Sequence, residues 1–146
     1  MNKNKGFTLI ELLVVIAIIG ILSSVVIASI NQARDKGNDA AIQSNLNGIR
    51  SQATLYYDTN SQSYGTAGVV CDTAGSVFVD PTITNQIKAA ESASAGEPGI
   101  GITATCANDD SGWVVSVPMK TAGNWCVDST GSAATTTANT STIKCN

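Results

Sequence analysis

From Phe7 to Ile30 the chain reads FTLIELLVVIAIIGILSSVVIASI, and Glu11 is the one ionisable side chain in it. As a helix this segment would span about 36 Å at roughly 1.5 Å per residue, a little more than the ~30 Å hydrocarbon thickness of a bilayer. Leu12–Leu22 is apolar throughout, with Gly20 tolerated as it often is in transmembrane helices. Ser23, Ser24 and Ser29 can return their hydroxyls to carbonyls one turn back, so they do not disqualify the span. Three readings compete. A buried core helix fits poorly, because the segment is apolar all round and the rest of a 146-residue chain is too small to wrap it. A secretory signal has the right basic start, but the run is too long and Val26-Ile27-Ala28 is a poor cleavage site. A retained membrane helix fits best. Lys3 and Lys5 precede it while Arg34 and Lys36 follow it, so charge gives little guidance on orientation.

Outside this segment the chain is polar and rich in Ser, Thr, Asn and Gly. The charged fraction is 13% against a hydrophobic 43%, so the composition averages two unlike parts. There is no histidine, which removes the commonest general base and a leading metal ligand. A net charge of −3 offers no electrostatic footprint for nucleic acid. No Ser–base arrangement, P-loop or dinucleotide fingerprint is present. The chain is therefore expected to be no enzyme, to carry no cofactor and to bind no nucleic acid directly.

Glu11 needs an explanation. A carboxylate deep in a membrane helix costs roughly 2.5–3.5 kcal/mol on insertion scales. One reading places it near the headgroups, about 6 Å along the helix from Phe7. The other supplies a cation in an assembled state.

The block Gly6-Phe7-Thr8-Leu9-Ile10-Glu11-Leu12-Leu13-Val14-Val15-Ile16-Ala17-Ile18-Ile19-Gly20-Ile21-Leu22 closely resembles the N-terminal signature of type IV pilins and type II secretion pseudopilins. It covers little of the chain but is highly specific. The resemblance implies a leader cut by a membrane-embedded prepilin peptidase after Gly6, and N-methylation of the new terminus at Phe7. It also implies that Glu11 pairs with the N-terminal amine of a neighbouring subunit during assembly, which would compensate the buried carboxylate. Many major pilins carry a proline late in this segment, where Ala28 stands here. Without it the helix is expected either to be straighter or to loosen elsewhere, with Gly20 the obvious weak point.

Beyond the apolar segment, Asn31–Asp39 is polar and mixed in charge, and reads either as helix or as a local break. Ile42, Leu46, Ile49, Ala53 and Tyr56 follow at spacings of 4, 3, 4 and 3, one apolar stripe on an otherwise polar helix. The stripe is too short to argue for a coiled coil, and packing on a sheet is expected. Together these segments predict one helix from about Thr8 to Tyr57, ended by the turn residues Asp58-Thr59-Asn60-Ser61. In the remainder, alternation at Ile100, Ile102, Ala104 and Cys106, then at Trp113, Val115 and Val117, predicts two strands separated by a turn at Ala107–Gly112. Asn124–Asp128 makes a third, completing an antiparallel meander. Val77–Val79 reads as a short strand, Ile83–Ala90 as a helical turn, and Ser92–Gly101 as loop. The tail Ser129–Thr142 is low-complexity and needs a tether to become ordered.

Cys71, Cys106, Cys126 and Cys145 all lie beyond the apolar segment. None forms a C-x-x-C pair, and without histidine a zinc site is a weak reading. Two disulfides in an exported head are expected. Three connectivities are open. Cys71–Cys106 with Cys126–Cys145 is preferred, because the second pins the tail to the last strand. Asp109, Asp110 and Asp128 raise calcium, which some pseudopilins bind, but adjacent aspartates in a turn read as solvated turn residues and no metal ligand is assigned. Asn139-Thr140-Ser141 fits the N-glycosylation pattern, and the tail is equally suited to O-glycosylation. Tyr56, Tyr57 and Tyr64 read as packing residues where helix meets head.

The expected architecture is α+β and pilin-like, one long N-terminal helix on a small antiparallel sheet. Its parts are a leader (1–6), a transmembrane and assembly half of the helix (7–30), an amphipathic half (31–58) and a β-rich head with its tail (59–146). The resemblance implies a filament subunit as the leading function, inserted in the cytoplasmic membrane with its head outside and then polymerised into a surface or periplasmic filament. Its partners would be further copies of itself, the prepilin peptidase, an assembly platform and membrane lipid. A type II secretion pseudopilin and a membrane-anchored binding domain that never polymerises are the alternatives.

Overall fold

The computed structural model describes residues 6–95, 104–121 and 123–146. The chain divides into two compact units, Met1–Arg34 and Asp35–Asn146. Helix α1, Leu9–Thr59, is continuous in secondary structure and contributes to both. The polar Asn31–Asp39 stretch is helical, and so is Gly20.

In the first unit the apolar side chains of α1 are exposed on every side, from Leu9 at 78% to Val15 at 46%. The Ser24 hydroxyl donates to the Ile21 carbonyl at 2.8 Å, so its polarity is absorbed by the helix itself. The segment is long and apolar enough to cross a membrane.

The second unit is built on the stripe read from the sequence. Ile42, Leu46, Ile49 and Ala53 are fully buried, and they join one core with Cys106, Trp113, Val115, Val117 and Val127. Strands β1 (Thr105–Asn108), β2 (Trp113–Pro118), β3 (Asn124–Asp128) and β4 (Ala133–Thr135) form an antiparallel sheet in that order. A second, two-stranded sheet pairs β5 (Ala138–Asn139) with β6 (Lys144–Cys145). Burying each large aliphatic side chain contributes about 1.5–3 kcal/mol, so the four-stranded sheet and the helix stripe stabilise one another.

Several elements differ from the sequence reading. The sheet has a fourth strand, and the tail is ordered. β5 and β6 lay Ala138, Ile143 and Cys145 against Ala107, Val114 and Cys126 on the sheet's other face. Val114 and Ser116 are therefore buried along with Trp113, Val115 and Val117, and β2 is covered on both faces instead of alternating. Ala107 and Asn108 belong to β1, so the turn is shorter than Ala107–Gly112. The first strand begins at Thr105; Ile100 and Ile102 lie outside the described residues.

Val77–Val79 is a 3-10 turn, not a strand. The Ser76 hydroxyl accepts the Phe78 amide at 3.3 Å and starts it. The helical turn at Ile83–Ala90 is a full helix, α2, Pro81–Ala95, so Ser92–Ala95 are helical and the rest of that expected loop, residues 96–101, is outside the described range. Asp80 caps α2, its Oδ1 accepting the Thr82 and Ile83 amides at 2.9 and 3.2 Å. Pro81 follows at the first helical position, where its missing N–H costs nothing. Beyond α1 the chain reverses through Ser61 and Gln62 (φ 57° and 60°) to reach Gly65 (φ 89°). A Cβ at Gly65 would sit 2.0 Å from the Gly75 carbonyl oxygen, so glycine is required there.

Candidate functional site

Between Phe7 and Ile30 the one ionisable group, Glu11, lies in the first turn of α1. Thr8 precedes the helix, and its carbonyl accepts the Leu12 amide at 3.3 Å. Its hydroxyl accepts the Glu11 amide at 3.2 Å. Glu11 reaches back, Oε2 accepting from the Thr8 amide at 2.8 Å and the Thr8 hydroxyl at 2.7 Å. This is a reciprocal capping box, which satisfies helix-terminal donors that would otherwise lack partners. The Thr-x-x-Glu spacing at 8–11 carries that signal in the sequence, and the apolar context draws attention away from it. Glu11 Oε1 makes no hydrogen bond among the described residues, so one carboxylate oxygen is left for a further partner.

Gly6 and Phe7 lie just outside the helix, exposed, with Phe7 at 80%. In the uncut chain the Phe7 nitrogen is a peptide nitrogen without charge. Cleavage after Gly6 would turn it into an ammonium group four positions before Glu11. Phe7, Thr8 and Glu11 thus form one local constellation.

The cysteines form a separate one, in the second unit. The structure brings Cys71 to Cys106 and Cys126 to Cys145, spanning 35 and 19 residues, with no free thiol among the described residues. The first bond fastens the loop before α2 to β1. The second fastens β6 to β3, next to the Cys145 amide that donates to Asp128 Oδ2 at 2.9 Å. Asp128 Oδ1 also accepts the Thr130 and Ser132 amides at 2.9 and 3.1 Å and the Thr130 hydroxyl at 2.7 Å. Burial raises the carboxyl's pKa, but these donors outweigh it and hold it below the ordinary value.

Asp109 is a turn residue, accepting the Ser111 hydroxyl and amide and the Gly112 amide between 2.7 and 2.8 Å. The Ser111 hydroxyl is the chief cause of its lowered pKa. Among the described residues no group of three His, Cys, Asp or Glu side chains is placed to hold a metal ion. Tyr57 and Tyr64 stack at 4.7 Å between ring centroids, and Tyr56 packs against the core.

Asp39 is the residue that sequence reasoning missed. It sits on the polar stretch of α1 yet is 7% exposed. Its carboxylate accepts the Lys120 amide at 2.5 Å, the Thr121 amide at 3.1 Å and the Thr121 hydroxyl. Nothing in the local pattern marks it, because the partners come from the loop after β2.

The first turn of α1 also lies within the part of the chain that is similar to known proteins. A family model described as "Prokaryotic N-terminal methylation motif" matches residues 1–27. Through this N-terminal motif the chain is similar to type IV pilins and type II secretion pseudopilins. The chain is 42% identical over 71 residues to "Type IV wide pilus major component PilA4" of Thermus thermophilus, covering 48% of this chain and 54% of that protein. It is 32% identical over 62 residues to "Type II secretion system core protein G" of Klebsiella pneumoniae, covering 42% and 44%. It is 33% identical over 61 residues to the protein of the same name from Dickeya chrysanthemi, covering 42% and 40%. The matched part spans about half the length of these relatives, or less. No solved structure matches the chain. The relatives are named as components of a pilus or a secretion system, and none is named as an enzyme.

Proposed function

We propose that this chain is the precursor of a structural subunit of a type IV pilus-like filament. In this reading residues 1–6 are a leader removed after Gly6, Phe7 becomes the methylated terminus, residues 7–30 span the membrane and then enter the fibre interior, and residues 31–58 join the head, 59–146. The observation that carries it is the apolar surface of α1 from Leu12 to Ile30, exposed on every side and without an ionisable group beyond the capped Thr8–Glu11 turn. Such a surface is stable in lipid, or among other helices like itself. Glu11 Oε1 would accept the Phe7 ammonium of a neighbouring subunit, so that assembly exchanges lipid contacts for helix packing and one compensated ion pair.

The prepilin peptidase, an assembly platform, membrane lipid and further copies of the chain are the partners this requires. The precursor would lie in the cytoplasmic membrane with its head outside. The test is mass spectrometry of the protein from its own cell envelope, together with electron microscopy. A mature chain beginning at methylated Phe7 within long fibres supports the reading; retained Met1–Gly6 in the mature protein sinks it.

The three relatives named as type II secretion core protein G favour a second reading, a pseudopilin that polymerises within the periplasm. Deleting the gene separates the two. Loss of surface fibres fits a pilin, whereas intact fibres with a secretion defect fit a pseudopilin.

A further inference from the structure

The C-terminal hairpin carries a motif that the proposed function does not draw on. Asn139-Thr140-Ser141 has the acceptor form for asparagine-linked glycans, an asparagine followed by a residue other than proline and then serine or threonine. No other asparagine in the chain is followed two places on by serine or threonine. Such a triplet has meaning only where the fold presents it on a surface loop, and the structure meets that condition. β5 ends at Asn139 and β6 begins at Lys144, the two being register partners, so residues 140–143 form the hairpin tip.

Asn139 Oδ1 accepts the amides of Ser141 and Thr142, each at 3.1 Å. The side chain is thereby held over the tip beside Ser141. Ser141 is exposed, and its hydroxyl has no hydrogen-bond partner among the described residues. Asn139 Nδ2 donates to Asn146 Oδ1 at 2.9 Å, an exposed contact that a competing partner can replace at little cost. The apolar contacts of the hairpin are made by Ala138, Ile143 and Cys145, and the Cys126–Cys145 bond anchors it from below. A bulky, solvated group on Asn139 displaces none of them.

We propose that Asn139 is an acceptor for an N-linked glycan, with the Ser141 hydroxyl as the second recognition element. The donor class is an oligosaccharide linked through its anomeric carbon to a polyprenyl diphosphate. In the transfer the anomeric C–O bond to diphosphate breaks and the C–Nδ2 bond forms. One Nδ2 proton passes to a base of the transferase, and the polyprenyl diphosphate leaves with the electron pair. No oxidant or reductant enters. The inference rests on the exported head of the proposed function, since it needs the hairpin on the side of the membrane where such a donor is presented.

The test is peptide mass spectrometry on the full chain isolated from its own cell envelope, reading Thr121–Lys144 and the N-terminal peptide in one digest. A glycan mass on Thr121–Lys144 is expected, lost in Asn139→Gln and in Ser141→Ala and kept in Ser141→Thr. Ser141→Ala leaves both backbone contacts to Asn139 in place, so its loss of glycan cannot be ascribed to misfolding. An unmodified Thr121–Lys144 peptide in the wild-type chain overturns the proposal. So does a glycan that persists in Asn139→Gln, which would be O-linked. The N-terminal peptide reports separately on processing at Phe7, so failure of this site and failure of the filament reading give different spectra.

Discussion

Asp39 and Thr121 lie 82 residues apart in sequence, and the Thr121 amide donates to Asp39 Oδ2 at 3.1 Å. The Thr121 hydroxyl and the Lys120 amide converge on the same carboxylate. One helical side chain therefore secures the loop between β2 and β3. Arg50 Nη2, donating to the Ser132 carbonyl, does the same further along the helix for the turn before β4. The apolar stripe provides the bulk of the attachment, and these polar contacts fix where along the helix the sheet sits.

Asp39→Ala should destabilise the head by about 2–3 kcal/mol, since it removes charge-assisted hydrogen bonds and leaves the Lys120 and Thr121 donors unpaired. Thermal unfolding of the detergent-solubilised chain measures this. A melting temperature equal to wild type would show the clamp to be energetically idle.

The same carboxylate makes the head sensitive to acid. Burial pushes the Asp39 pKa up, but the Thr121 hydroxyl and the Lys120 and Thr121 amides outweigh it, leaving the pKa below the ordinary value. Asp128 is likewise lowered. A carboxyl whose folded pKa is depressed contributes stability that is fully present above its unfolded pKa and is lost as pH falls through the folded one. Stability should thus be flat near neutrality and decline below about pH 4, the ordinary aspartate range. Asp39→Asn should flatten part of that decline in chemical-denaturation curves taken across acidic pH; an unchanged slope would exclude Asp39 as a source.

Glu11→Val should leave membrane insertion and leader removal intact while reducing filament yield. Thr8→Ala is the control, because it weakens the helix cap by about 0.5–2 kcal/mol but keeps the carboxylate. If both variants assemble equally well, Glu11 acts only as a cap. If Thr8→Ala assembles and Glu11→Val does not, the carboxylate itself is needed.

Each disulfide closes a loop whose constraint is worth about 3–4 kcal/mol in the chain-entropy account. Replacing Cys126 and Cys145 together by serine should release the hairpin from the sheet and speed cleavage within Ser129–Thr142 by a nonspecific protease. Replacing Cys71 and Cys106 should lower overall stability by a similar amount without exposing the tail. Equal cleavage rates in the two variants would contradict the assignment of the second bond as the tail's tether.

Much of this architecture is legible in the sequence because it is periodic. Ile42, Leu46, Ile49 and Ala53 repeat at helical spacing, and they are the residues that meet the sheet. Trp113, Val115 and Val117 announce β2 in the same way. What eluded local reading depends on partners far along the chain. Val114 is buried because Ala138, Ile143 and Cys145 cover it, and those lie in a segment of low complexity with no strand pattern of its own. Asp39 reads as a solvated charge until Lys120 and Thr121 arrive. At α2 the signal was present and local, an Asp80-Pro81 start with Ile83, Ile87 and Ala90 on one face. The Thr8–Glu11 capping box was also local, and the apolar run around it concealed an ordinary helix start.

The exposed surface of α1 between Leu12 and Ile30 has one further consequence. A cylinder that is apolar on every side meets another such cylinder almost equally well at many rotations and many offsets. It therefore supplies cohesion with very little address. Between Phe7 and Ile30 the one charged landmark is Glu11, in the short polar turn at Thr8–Glu11, which acts like the notch on a smooth rod. A fibre made from such rods would hold together strongly yet let its members slip past one another under load, with the notch alone defining the position to which they return.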